Sequence, residues 1–150
     1  RQFGDYLRQA LAAIGIDAEL VNADSAAHQK AVYTDHDFDL TVAPPVFRGD
    51  PAISTTILVQ SGIPAGVGFS NQGGYANAEL DGIIAKAAET IDTTARPDLY
   101  RQFQKLVAAD LPLINVAEWG FITMARDSVL NVASNPRWAV SNWADTALKV

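Results

Sequence analysis

The chain has 150 residues, 49% of them apolar and 19% charged, a balance that suits one globular domain with a core of its own. Its net charge of −6, with no basic stripe, excludes the phosphate-backbone chemistry of a nucleic-acid binder. The absence of cysteine excludes disulfides, thiolate catalysis and Cys-based zinc sites, and no apolar run reaches the ~20 residues that span a bilayer.

The chain opens on Arg1, already within a helical pattern. Phe3, Tyr6, Leu7, Ala10, Leu11 and Ile14 recur on one face, which predicts a helix over residues 2–14 with Gly15 as its C′ residue. A start inside a helix is expected of a section of a longer protein whose preceding strand lies outside the 150 residues. Ile16, Ala18 and Leu20 alternate with Asp17 and Glu19, the period of a strand. Asp24 or Ser25 caps a second helix reaching Thr34, with a weak apolar face that places it at the surface. Phe38, Leu40 and Val42 then alternate with Asp39, Thr41 and Ala43 as a second strand, making a βαβ unit. Pro44 and Pro45 end that strand, because proline removes a ladder donor. Gly49-Asp50-Pro51 is a turn whose aspartate caps a short helix near Ile53–Leu58. Loops at the carboxyl ends of strands in open α/β sheets are where ligands bind, so this loop is the first candidate site.

Residues 61–76 are rich in Ser, Gly, Pro, Asn and Gln and read as a long functional loop. Asn77 caps a helix with Leu80, Ile83, Ile84, Ala87, Ala88 and Ile91 on its apolar face. Thr93 or Thr94 opens the next helix, with Pro97 in its first turn and Leu99, Phe103, Leu106 and Val107 toward the core. The short link between the two predicts antiparallel packing. Leu113–Trp119 and Phe121–Arg126 read as strands about Gly120, and the segment from Val132 onward as irregular.

Little in the chain demands catalysis. His36 lies among Asp35, Asp37 and Asp39, where metal ligation or a solvated, helix-ending turn are the two readings. The run Gly66-Val67-Gly68-Phe69-Ser70-Asn71 lacks the Gly-Lys-Ser/Thr ending of a phosphate loop. No nucleophile elbow or Ser-His-Asp set is apparent. Aromatic residues in or beside loops, Phe47, Phe69, Tyr75, Trp119, Phe121, Trp138 and Trp143, suit either a ligand cleft or packing against another unit.

Several phrases, taken in order, resemble the C-terminal lobe of extracellular solute-binding proteins of family 5, the peptide/nickel-type receptors of ABC importers. They are the helix and strand from Leu7 to Val21, Phe38-Asp39-Leu40 with Gly49-Asp50-Pro51, and Gly74-Tyr75-Ala76-Asn77-Ala78-Glu79-Leu80-Asp81. Arg96–Tyr100, Gln104 and Asp110-Leu111-Pro112-Leu113-Ile114 continue the likeness. The resemblance implies an α/β fold, a type II periplasmic-binding-protein lobe with a mixed sheet, a βαβ unit and packed helices. It implies one domain over residues 1–150, with the tail 127–150 returning toward an N-terminal lobe that is missing from the chain. It further implies a substrate-binding component that captures a peptide or other small solute between two lobes and delivers it to an ABC permease. Such a protein acts in the periplasm or outside the cell, associated with the membrane through its full-length form, and carries out no catalysis. No cofactor or metal is expected. The substrate-binding set on this reading is Pro44, Pro45, Phe47, Arg48, Asn71, Tyr75 and Trp119. In peptide-binding members an aspartate stands three residues before the Gly-Asp-Pro aspartate, with a tryptophan three before that; here the positions hold Phe47 and Pro44, so the ammonium clamp is absent. An anionic group would suit Arg48 instead. The alternatives from other classes are a small α/β hydrolase using His36, and a sensor lobe engaging a membrane receptor. An open sheet edge would also favour self-association of the chain.

Overall fold

The computed structural model describes residues 2–45, 48–118, 120, 122, 124–132 and 143–149. Among them are four α-helices, α1 (Gln2–Ala12), α2 (Ser25–Lys30), α3 (Ala78–Glu89) and α4 (Ala95–Asp110), and one antiparallel pair of strands, β1 (Val129–Leu130) and β2 (Ala147–Leu148).

Local chemistry sets most helix boundaries. Gly15, at φ +83°, ends α1: its N–H reaches the Ala12 carbonyl at 3.1 Å, and the Ile16 N–H reaches the Leu11 carbonyl at 3.0 Å. A left-handed glycine after the last turn is what this double closure needs. Asp24 caps α2 by accepting the Ala27 N–H at 2.8 Å. The helix then widens into a π-helical turn over Ala31–Asp35 and stops at His36, itself left-handed at φ 53°. Asn77 caps α3 by accepting the N–H groups of Glu79 and Leu80 at 3.0 and 3.1 Å. Glu79 and Asp81 lie in the first turn and Lys86 in the last, aligned with the helix dipole. Asn77→Ala is expected to lower stability by about 1 kcal/mol, with Asn77→Asp close to wild type, as read by urea unfolding.

The α3 helix ends two residues short of Ile91, which is 94% exposed. The Thr90 hydroxyl donates to the Lys86 carbonyl at 2.7 Å while the Thr90 backbone turns extended, so the helix cannot continue. The start of α4 falls where expected, with Thr94 in the N-cap position, but the capping bonds come from another residue. Thr94 makes no capping bond with its own side chain; Asp92 does the work, accepting the N–H groups of Thr94 and Ala95 at 2.7 and 3.2 Å and the Thr94 hydroxyl at 2.6 Å. These donors hold the Asp92 carboxyl below its usual range.

The core lies where α3 and α4 meet the short turns before them. Leu58, Val59, Leu80, Ile84 and Phe103 form a buried cluster, joined by Ile57, Tyr75, Ile83, Leu106, Val107 and Leu113. Leu80 is fully buried at 0% exposure. The short helix expected near residues 53–58 is two 3₁₀ turns, Pro51–Ile53 and Thr56–Leu58. The second turn delivers Leu58, and Val59 after it, into the cluster. A smaller cluster forms where Tyr33, buried, meets the ring of Phe69 at 6.1 Å, and the Gly66 N–H binds the Tyr33 carbonyl at 2.5 Å.

The strands expected at 16–21, 38–42 and 113–118 belong to no ladder among the described residues, nor do residues 122 and 124–126, while 119, 121 and 123 of the expected pair about Gly120 lie outside them. Pairing forms instead in the tail, Val129 opposite Leu148 and Leu130 opposite Ala147. Alternation selects a side-chain face, but a strand exists only when another backbone takes up its donors and acceptors. The consequence is a large surface. Its accessible area is 11427 Å², against roughly 7,400 Å² for a folded monomer of this mass.

Candidate functional site

The Phe38–Val42 run and the 61–76 loop converge on a shallow hollow of about 300 Å³ lined by His36, Phe38, Asp39, Gln72, Gly73 and Gly74. The π-helical turn ends at His36 and so sets one wall. The His36 Nδ1 lies 3.1 Å from the Gln72 carbonyl, which can only accept, so Nδ1 carries the proton. That bond ties the end of the π-helical turn to the glycine-rich loop. Gly74, at φ +64°, makes the turn that brings the loop back toward Asn77.

Asn71 organises the inside of this loop. Its amide nitrogen donates to the Gln60 carbonyl at 3.1 Å and to the Tyr75 carbonyl at 2.6 Å, and its oxygen accepts the Tyr75 N–H at 3.1 Å. Tyr75 packs its ring on the core, and its hydroxyl donates to Asp110 Oδ2 at 2.5 Å, where the Asn77 amide also donates at 3.0 Å. The tyrosine hydroxyl, followed by the Asn77 amide, lowers the Asp110 pKa; the same carboxylate raises that of Tyr75. At the loop's other end, Asp81 accepts the Ser61 N–H at 3.0 Å and the Ser61 hydroxyl at 2.5 Å. The loop is therefore pinned at Ser61, Asn71 and Tyr75, and its Gln72–Gly74 segment is left to face the hollow.

The proline loop is fixed from the other side. Arg96, on the first turn of α4, holds both Asp50 oxygens at 2.8 Å, donates to the Ala87 carbonyl at 3.0 Å and stacks 5.2 Å from the Tyr100 ring centre. Asp50 at the same time caps the Pro51–Ile53 turn through the Ala52 N–H at 2.9 Å. The guanidinium, then the Ala52 N–H, hold the Asp50 carboxyl below its usual range.

Of the seven expected contact residues, Asn71 and Tyr75 are bonded to each other. Pro44 is exposed, Pro45 half-buried, and Arg48 exposed with no ion pair among the described residues. No hydrogen bond joins Pro44, Pro45 or Arg48 to Asn71 or Tyr75. Phe47 and Trp119, with Phe121 and Trp138, lie outside the described residues. Of the acidic cluster around His36, Asp35 pairs with Lys30 and His36 meets Gln72, while Asp39 lines the hollow. No three metal-ligating side chains gather at binding distance among the described residues.

The expected substrate-binding set leaves out the lining residues His36, Phe38, Asp39, Gln72 and Gly73, of which His36 enters the sequence reading as a metal-ligand or hydrolase candidate, and nothing in the sequence reading foresees the Asp50–Arg96 pair. The Gly73-Gly74 doublet carried a usable signal, a break in an otherwise pinned loop. Asp50 and Arg96, 46 positions apart, carried none. In comparisons with known proteins, no family model, no curated protein and no solved structure matches this chain.

Proposed function

We propose that the chain is the greater part of one α/β lobe of a type II solute-binding protein, and that the whole protein captures a peptide or other small solute between two lobes and passes it to a membrane permease. On this reading the 44–48 loop and the hollow beside Gln72–Gly74 form one wall of the cleft, and an absent N-terminal lobe forms the other. The hinge closes over the solute, and no bond of the solute changes.

The supporting observation is the pair of mounts at the two ends of α4, one of which carries the glycine-rich loop that lines the hollow. Asp50–Arg96 anchors the proline loop to α4, and Asn71–Tyr75–Asp110 anchors the glycine-rich loop to the opposite end of the same helix. Locked supports of this kind hold the groups of a binding site in place. No helix among the described residues is long and apolar enough to cross a membrane.

The test compares this chain with the same residues joined to the sequence that precedes them in the whole protein, each titrated calorimetrically with a panel of short peptides. Losing half of the binding free energy takes a micromolar complex to about millimolar, a weakening of about a thousandfold. Equal affinity for the two would overturn the two-lobe reading.

A further inference from the structure

The hollow beside the glycine-rich loop favours one sign of charge. Asp39 in its lining is exposed, and its side chain makes no hydrogen bond or ion pair among the described residues. No Lys or Arg stands in the described lining, and Arg48, which would suit an anion, is not part of it. Of the neighbouring carboxylates, Asp35 is paired with Lys30, whereas Asp37 has no ion pair among the described residues. His36 adds an acceptor. Its Nδ1 donates to the Gln72 carbonyl at 3.1 Å, so in the neutral ring Nε2 keeps a lone pair with no partner among the described residues. Phe38 adds a half-buried ring, and the face of such a ring attracts positive charge. The Gln72 amide and the Gly73 backbone serve either sign, so the carboxylate, the imidazole lone pair and the ring set the preference.

Taking the hollow as part of the proposed solute-binding wall, we infer that it holds the cationic nitrogen head of the solute, a guanidinium or an ammonium. Its volume of about 300 Å³ lies at the small end of ligand pockets, which run from roughly 300 to 1,000 Å³, and so suits a head group more than a whole molecule. A guanidinium can lie against the Phe38 ring while its fork of N–H groups meets a carboxylate. An ammonium meets the same groups as a point charge. An anionic head would bring like charge to Asp39, with Asp37 only two positions away in the chain. A neutral head would leave the charge of Asp39 to water. The rim has room for a visitor: Gly73 is not left-handed, and a Cβ there would meet no atom within 4 Å.

The test titrates the chain, at neutral pH and low salt, with the amidated N-acetyl derivatives of arginine, lysine, citrulline and glutamate, and follows the Gly74 amide by NMR. Citrulline has the shape of arginine without its charge. The arginine derivative, the lysine derivative or both are expected to give saturating shifts at millimolar concentration, and the better of the two shows which head fits. The citrulline and glutamate derivatives are expected to give none. Asp39→Asn should weaken binding about fivefold, the worth of one exposed ion pair, with unchanged circular dichroism because the Asp39 side chain supports no other group among the described residues. Gly73→Lys sets a like charge at the rim and should weaken it by a similar factor. No shift with either cation, equal shifts with the citrulline derivative, tighter binding of the glutamate derivative, or an Asp39→Asn chain that binds as wild type does would each overturn the cation preference. Joining the preceding residues tests the two-lobe reading separately: unchanged affinity there, with the preference for cations intact, sinks that reading and leaves the cation site standing.

Discussion

Phe103→Ala is expected to remove most of the molecule's stability at room temperature. Phe103 is 5% exposed, sits in the buried cluster with Leu58, Val59, Leu80 and Ile84, and meets Tyr100 edge-on with ring centres 6.5 Å apart. Removing a buried phenyl ring costs about 3–5 kcal/mol, part transfer energy and part cavity. A domain is stable by about 5–15 kcal/mol in total, and a chain with so much open surface belongs at the low end. Far-UV circular dichroism during urea unfolding reads the loss. Phe103→Leu should retain much of the stability, because it refills most of the volume. A loss under about 1 kcal/mol for the alanine variant would mean that the α3–α4 contact is not the centre of the fold.

The second large effect is expected at Arg96. Its side chain joins three elements: the turn at Asp50, the end of α3 at Ala87, and Tyr100 one turn along α4. Arg96→Ala removes all of these bonds at once and frees the 44–53 segment, so the Ala52 N–H should exchange faster with solvent and the thermal midpoint should fall. Arg96→Lys keeps the charge and loses the fork, so it should lie between alanine and wild type. The pair also sets an acid dependence. Asp50 has its folded pKa lowered below the value of about 3.9 in the unfolded chain, so its contribution is complete above that value and is lost as pH falls through the folded pKa. Asp92 and Asp110, also lowered, add to the same window. Wild type should therefore lose stability progressively below about pH 4. Arg96→Ala should have a smaller loss over that window, because Asp50 then keeps only its bond from the Ala52 N–H. An unchanged acid profile in the variant would show that the Asp50–Arg96 bond carries no net stability.

Much of the helical framework was legible in the residues themselves. Gly15 after an apolar-periodic run, Asp24 before Ser25, and Asn77 before Ala78 each act within one turn of the chain, and the capping bonds form where the residues stand. Leu80, Ile84, Leu99 and Phe103 were legible as core because a period of 3.6 places them on one face. At α4 the sequence placed Thr94 at the N-cap, as it stands, but the bonds there go to Asp92, whose carboxylate reaches three donors at once.

By itself the sequence determined what each short stretch could do: which residues cap a helix, which face is apolar, and where proline forbids a ladder. Those are properties of a few neighbouring residues and need nothing from the rest of the chain. Tertiary structure alone decided that Asp50 would be held by Arg96, that Tyr75 would reach Asp110, that His36 would close on Gln72, and that the alternating runs find no ladder partner among the described residues. Each of these depends on which backbone or side chain arrives from far along the chain, and strand-like alternation does not specify that arrival.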